Sequence, residues 1–311
     1  MLYGRVRKRN VDGREAHFLN FEGAVRHGPV SAEIQRDLNV DFTNTFPRRV
    51  IIGVENDVFQ FEATSEWTEL CTRYIVGMAA FISGDGLYAE KMLLYVESKL
   101  RQQKSTVAGI QEIARRLPER FEKLYSVWLF HLHQYYFGTH ERKYAAKADE
   151  ISTKLLARNP RNLQAMTYKA ICEFVLRRDV PAAHKLITKC RNNSDSTWWF
   201  SRGFLHAYQG KMEEAVSDYR RAFAGPIQDV TVPVQTEEFI QIILAEEPDR
   251  VQLHFCLGLI NFYAKSDYIA AQRDFKNFIS KVKDDQFSAQ VTTARALIDE
   301  CKKGAASVPP S

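Results

Sequence analysis

The sequence predicts a mostly α protein made of stacked helix pairs, with a small β-rich element at its N-terminus. Three observations carry that expectation. From about residue 65 onward, apolar residues recur at intervals of three and four, the period of a helix with one buried face. Short breaks rich in Gly, Pro, Asn and Asp divide this stretch into about ten helices. Finally, small residues recur at fixed intervals: Gly203, Gly210 and Ala215 are spaced by seven and five, and so are Gly77, Gly84 and Ala89.

Residues 1–64 read as strands: "HFLNFEG", "LNVDF" and "RRVIIGVENDVFQFEATS", the last as a hairpin turning at Glu55-Asn56-Asp57. In its second arm Phe59 and Phe61 would share one face. Sixty residues with few large apolar groups make a marginal core, so this segment is expected to lean on the helical part or on a partner. Residues 65–303 form the helical domain. Breaks fall at "SGDG" (83–86), "RRLPE" (115–119), "FGTHE" (137–141), "RNPRN" (158–162), "RDVP" (178–181), "RNNSDS" (191–196), "QGK" (209–211), "AGP" (224–226), "EEPD" (246–249) and "KSD" (265–267). The longer stretch 225–238 reads as an insertion ahead of a helix at 236–246. The tail 304–311 has no apolar period and is expected to fray.

Composition excludes several classes of function. The chain has 311 residues, 45% of them hydrophobic and 26% charged, enough to bury a sizeable core. Its net charge of +5 comes from 43 basic and 38 acidic residues spread along the chain, so nucleic acid is not a favoured partner. The densest basic run, Arg5, Arg7, Lys8 and Arg9, reads as a solvated strand edge or end before it reads as a phosphate site. The five cysteines, at 71, 172, 190, 256 and 301, show no paired metal-site or disulfide spacing, which fits a reducing cytoplasm. No window approaches 18 uninterrupted apolar residues, so no membrane association is expected.

A helix pair that stacks on copies of itself needs a small residue where its helices cross, another where neighbouring pairs touch, and bulky residues around both. Trp199, Gly203, Gly210, Ala215, Tyr219 and Ala222 meet that demand. On these residues the segment 197–226 resembles a tetratricopeptide repeat, with Arg202 where Leu is usual, His206 where Tyr is usual and Pro226 one residue early. Similar patterns occur at 74–100, at 165–187 with Ala170 and Ala182, and at 252–279 with Gly258, Ala271 and Phe275 if the turn holds one extra residue. The segment 143–160 looks like a second helix, with Ala148, whose first helix would lie at 119–137. The resemblance covers about two thirds of the chain and implies a right-handed tetratricopeptide-like α-solenoid. A non-repeat helical bundle is the alternative.

The resemblance also implies that the first helices line a concave groove. Mapped here, the groove positions are Phe200, Phe204, Ala207 and Tyr208; Phe255, Leu259, Phe262 and Tyr263; Thr167, Ile171, Phe174 and Val175; and Tyr74, Met78, Phe81 and Ile82. They are apolar and aromatic, so a clamp for an acidic chaperone tail is not expected, whereas an amphipathic helix or apolar peptide would fit. Core filling by a tightly wound superhelix, by the 225–238 insertion or by the N-terminal β segment is the competing reading. Phe204→Ala with Tyr208→Ala is then expected to abolish partner capture and spare helical content.

Chemical signatures are sparse: no phosphate loop, nucleophile elbow or HExxH motif occurs, and His131 and His133 sit on different helix faces. Asp85 reads as a turn residue. The expectation is a non-catalytic interaction or scaffold protein that needs no cofactor or metal and binds a protein partner or a second copy of itself. The alternative is a sensor or effector subunit whose basic N-terminal element binds a nucleotide or nucleic acid. Trp198 fits neither the packing set nor the contact set.

Overall fold

A computed structural model describes residues 2–11, 14–23, 36, 40, 50–53, 57–102, 108–190, 197–224, 231–283 and 285–307. The described residues are mostly helical, and they divide into two compact units, 1–128 and 129–311.

In the first unit β1 (Leu2–Val11), β2 (Arg14–Gly23) and β3 (Val50–Gly53) pair antiparallel in the order β1-β2-β3. β1 meets β2 from Leu2↔Gly23 to Val11↔Arg14. The hairpin expected around residues 55–57 does not form. Its second arm is the start of α1 (Asp57–Ile82), because no Gly or Pro interrupts the chain from Asp57 to Gly77 and the helical period from Trp67 onward extends backward through it.

α1 is joined to α2 (Gly86–Gln102) by a tight turn. The two cross at Gly77, where an added Cβ would sit 3.0 Å from the Met92 Cβ. Tyr74, Met78, Leu93 and Val96 fill the joint, with Ala89 fully buried. Tyr74 and Met78, two expected groove positions, are therefore core, and Phe81 and Ile82 are half-buried. α3 (Ala108–Thr139) runs straight through the break expected at 115–119, with Pro118 inside it. The buried series Ile110, Ile113, Leu117, Phe121 and Leu124 continues at helical spacing on both sides of the proline, so packing outweighs the one lost backbone bond. The division between the units falls within α3.

The second unit is a succession of helix pairs: α4 (Arg142–Arg158) packs on α5 (Leu163–Arg177), α5 on α6 (Val180–Lys189), α7 (Thr197–Tyr208) on α8 (Met212–Phe223), and α10 (Gln252–Leu259) on α11 (Tyr268–Lys281). α12 (Ser288–Ser307) packs on α11 and closes the series. This is a helical repeat-like arrangement.

One device recurs at its turns. Among the described residues the only non-Gly positions with positive φ are His140, Arg178 and Ser266, and the only such glycines are Gly84 and Gly210. Each lies in the turn of a consecutive helix pair. Arg178 and Ser266 are followed by Asp179 and Asp267, whose Oδ1 atoms accept from Ala182 N and Ala270 N at 2.9 Å, while Asp85 accepts from Tyr88 N at 3.0 Å. At these three turns the left-handed residue stops one helix and the aspartate caps the next, whereas Glu141 and Lys211, after His140 and Gly210, make no side-chain cap.

The turns come in two lengths. Lys211 N and Asp85 N reach back five residues, to His206 O and Ala80 O, whereas Asp179 N and Asp267 N reach back six, to Glu173 O and Asn261 O. The extra residue foreseen at 252–279 is thus real but lies in the helix, where Ile260–Ala264 forms a π turn. The same extra residue corrects the register at 165–187: Ala183, 1% exposed, is the buried small residue, and Ala182 is half-buried.

Residues 225–230 of the insertion lie outside the described residues, and the helix expected at 236–246 is longer than that range. α9 (Thr231–Glu246) begins five residues earlier, with Pro233 in its first turn, where no N–H is required. Val232, Ile240 and Ile243 form its buried face.

Candidate functional site

α9 lies where the chain was expected to present an open groove. Its Phe239 ring meets Phe174 of α5 at 5.7 Å, Phe204 of α7 at 5.0 Å and Phe137 of α3 at 6.0 Å between centroids. Beside this cluster a cavity of about 730 Å³ remains, within the size range of ligand sites. Ile171 and Phe174 of α5, Ile187 of α6 and Trp198 and Phe204 of α7 form apolar walls. Phe130 and His133 of α3 close another side, and Gln235, Thr236 and Phe239 of α9 a further one. Phe130 is 47% exposed at this rim.

Of the eight residues singled out as groove contacts, Phe174 and Phe204 are the two that line the cavity. Thr167 and Ile171, mapped to the same face, line it too. Phe200 is buried within its own helix pair against Tyr219 and Phe223, and Phe255 against Phe275 and Phe278. Leu259 is buried as well, and Val175 and Ala207 are core. Tyr208 is 7% exposed and donates its hydroxyl to Glu247 Oε2 at 2.8 Å. Phe262 is half-buried, and Tyr263, 51% exposed, stacks on Phe223 away from the cavity. Because Phe204 and Tyr208 are buried, replacing them with Ala would remove core packing, each at a cost of about 3 kcal/mol or more for a ring of that size. That pair is therefore unsuited to testing a contact role.

Among the cavity residues that sequence reasoning missed are Phe239, His133 and Trp198. Trp198 is explained by its position: its Nε1 donates to the Ile187 carbonyl, tying α7 to α6, and the Arg202 guanidinium lies 4.4 Å from its ring. His133 packs against Phe137 and Tyr168 at 4.4 and 4.7 Å, with its Nε2 buried and unbonded. Burial pulls its pKa down to about 4, so the ring is neutral at physiological pH.

The two polar departures from the repeat pattern also find a role. Arg202 Nε and His206 Nδ1 both reach Asp218 Oδ2, at 2.7 and 3.0 Å, and Asp218 is 1% exposed. Burial alone would raise the Asp218 pKa, but the hydrogen bonds from Arg202 and His206 outweigh it and hold the carboxyl below its ordinary range. A second polar clamp fixes the end of α9: Glu247 accepts from Tyr208, from Arg178 Nε at 2.9 Å and from Arg250 Nε at 3.1 Å.

The cavity walls are mainly aromatic and aliphatic, with Gln134, Gln164, Thr167, Gln235 and Thr236 among them. Among the described residues no three His, Cys, Asp or Glu side chains gather as a metal cluster. All five cysteines are buried, with thiol pKa values raised by burial, to about 12 at Cys71, Cys172 and Cys256. No helix among the described residues is long and apolar enough to cross a membrane. A scan against family models and a search of curated proteins each found no match to the chain.

Proposed function

We propose that the protein is a non-catalytic interaction protein of the cytoplasm, a right-handed tetratricopeptide-like solenoid that takes an apolar side chain of a partner helix or peptide into the cavity between α5, α7 and α9. The observation that carries this is the cavity itself: about 730 Å³, aromatic on its floor, with Phe130 exposed at its rim. An aromatic or aliphatic anchor in such a pocket is the usual centre of a protein interface. The strands of the first unit, with Arg5, Arg7, Lys8 and Arg9, form a small β-rich N-terminal element in this reading, accessory to the repeats.

Half-buried positions on the wall allow a test that spares the core. Ile171→Arg together with Gln235→Arg would fill the cavity with two charged side chains while leaving Phe174, Phe204 and Phe239 in place. The wild-type chain, immobilised and exposed to extract of its native source, is expected to retain a defined set of proteins that the variant loses, with unchanged circular dichroism. Retention of the same set by a folded variant would remove the cavity from the interface.

A further inference from the structure

We propose that His184 and His206 form a two-histidine site for a late first-row divalent metal ion of the zinc class, bridging α6 and α7. The two Nε2 atoms face each other at 3.1 Å. On His206 the proton is placed by its other nitrogen: Nδ1 lies 3.0 Å from Asp218 Oδ2, an oxygen that also accepts from Arg202, so Nδ1 donates and Nε2 holds the lone pair.

On His184, Nδ1 lies 3.4 Å from Thr188 Oγ1. That hydroxyl already donates to the His184 carbonyl at 2.8 Å, so towards Nδ1 it acts as acceptor. Both rings therefore carry their proton on Nδ1, and two lone pairs meet across a gap that a cation would fill.

The dimensions suit a metal. With a metal–imidazole bond of about 2.0–2.1 Å, two nitrogens at this separation subtend roughly 100°, and a shift of a few tenths of an ångström reaches the tetrahedral angle. An imidazole oriented through its far nitrogen by a buried carboxylate is the usual outer shell of a histidine-bound zinc ion. The Asp218 carboxylate offsets the Arg202 charge, whereas Lys211 adds positive charge near His184. Two protein ligands and that residual charge describe an exchangeable ion with open positions, one that takes imidazole in preference to hard oxygen ligands.

The test is a calorimetric titration of the full chain, free of any affinity tag, with zinc chloride near neutral pH. One ion per chain is expected, with affinity reduced at least tenfold by His184→Ala and by His206→Gln. Asp218→Asn, which keeps shape but loses orientation, is expected to weaken binding about 10–100-fold. Circular dichroism checks that each variant is folded, and a cobalt-loaded wild type gives a visible band that His184→Ala lacks. Absence of zinc binding up to about 1 mM, or a folded His184→Ala that binds like the wild type, overturns the site and leaves the pair sharing a proton.

Discussion

Replacing Gly258 with alanine tests the helix-pair geometry at its tightest point. A Cβ built there falls 2.4 Å from Phe275 Cε1, 2.5 Å from Cδ1 and 2.8 Å from Cζ. Carbon atoms rest about 3.5–4.0 Å apart, so the ring must retreat by about 1 Å. Phe275 is fully buried, with Phe255 at 5.8 Å, and has no solvent to retreat into. Overpacking costs about 1–3 kcal/mol, and a buried ring that must move by about 1 Å falls in the upper half of that range, about 2–3 kcal/mol, of which alanine returns about 0.8–1 kcal/mol as helix propensity. The net expectation is a loss of about 1–2 kcal/mol, seen in a denaturant titration or as a melting point lower by about 2–8 °C. Gly203→Ala is the control. There the nearest atom, Tyr219 Cε2, is 3.2 Å away, a shift of a few tenths of an ångström suffices, and the effect should lie near zero. Phe275→Leu should relieve the Gly258→Ala loss in the double variant. A Gly258→Ala protein as stable as the wild type, or less perturbed than Gly203→Ala, would refute the close crossing.

Two further outcomes follow from the turns and from the cavity wall. Ser266 holds φ 55 with its side chain exposed, a conformation glycine adopts without strain, so Ser266→Gly should raise stability by about 0.5–1 kcal/mol after the added freedom of the unfolded chain is counted; a lowered melting point would contradict the turn assignment. His133 is neutral in the fold, its pKa lowered by burial from 6.5 to about 4, so its stabilising contribution is whole above pH 6.5 and is lost as pH falls toward 4. By pH 5 the loss should be about 1–2 kcal/mol, and His133→Phe should flatten that part of the urea-stability profile, with the remaining slope due in part to His254, also lowered to about 4 by burial and then by Lys281. An unchanged slope would mean that His133 does not titrate with unfolding.

The helix pairs were legible because their signal is local. Gly77, Gly203 and Gly258 mark crossings, Gly84 and Gly210 mark turns, and a residue that must be small or left-handed shows itself without knowledge of its neighbours. The misses share a different cause. Val58–Ala63 alternates like a strand and Pro118 looks like a break, yet both are governed by helices whose stabilising contacts lie elsewhere along the element. Spacing also assigned Phe200, Phe204 and Tyr208 to one stripe and did not decide what covers it. The stripe has three covers: α8 over Phe200, Phe174 beside Tyr208, and α9 over Phe204 through Phe239, a residue that carries no motif.

α7 shows why the stripe Phe200, Phe204 and Tyr208 is core without closing the cavity. Its Gly203 face receives Tyr219 of α8, and its Arg202 and His206 face holds Asp218. The remaining face, with Ser201, Phe204 and Leu205, meets α9 and the void. α9 reaches that face through one large ring, Phe239, which joins Phe137, Phe174 and Phe204. One turn earlier it offers Gln235 and Thr236, side chains that do not bury as an aliphatic pair would, and the cavity opens beside them. On the proposed reading, one aromatic anchor from within the chain, Phe239, stands beside the space that a second anchor from a partner would fill.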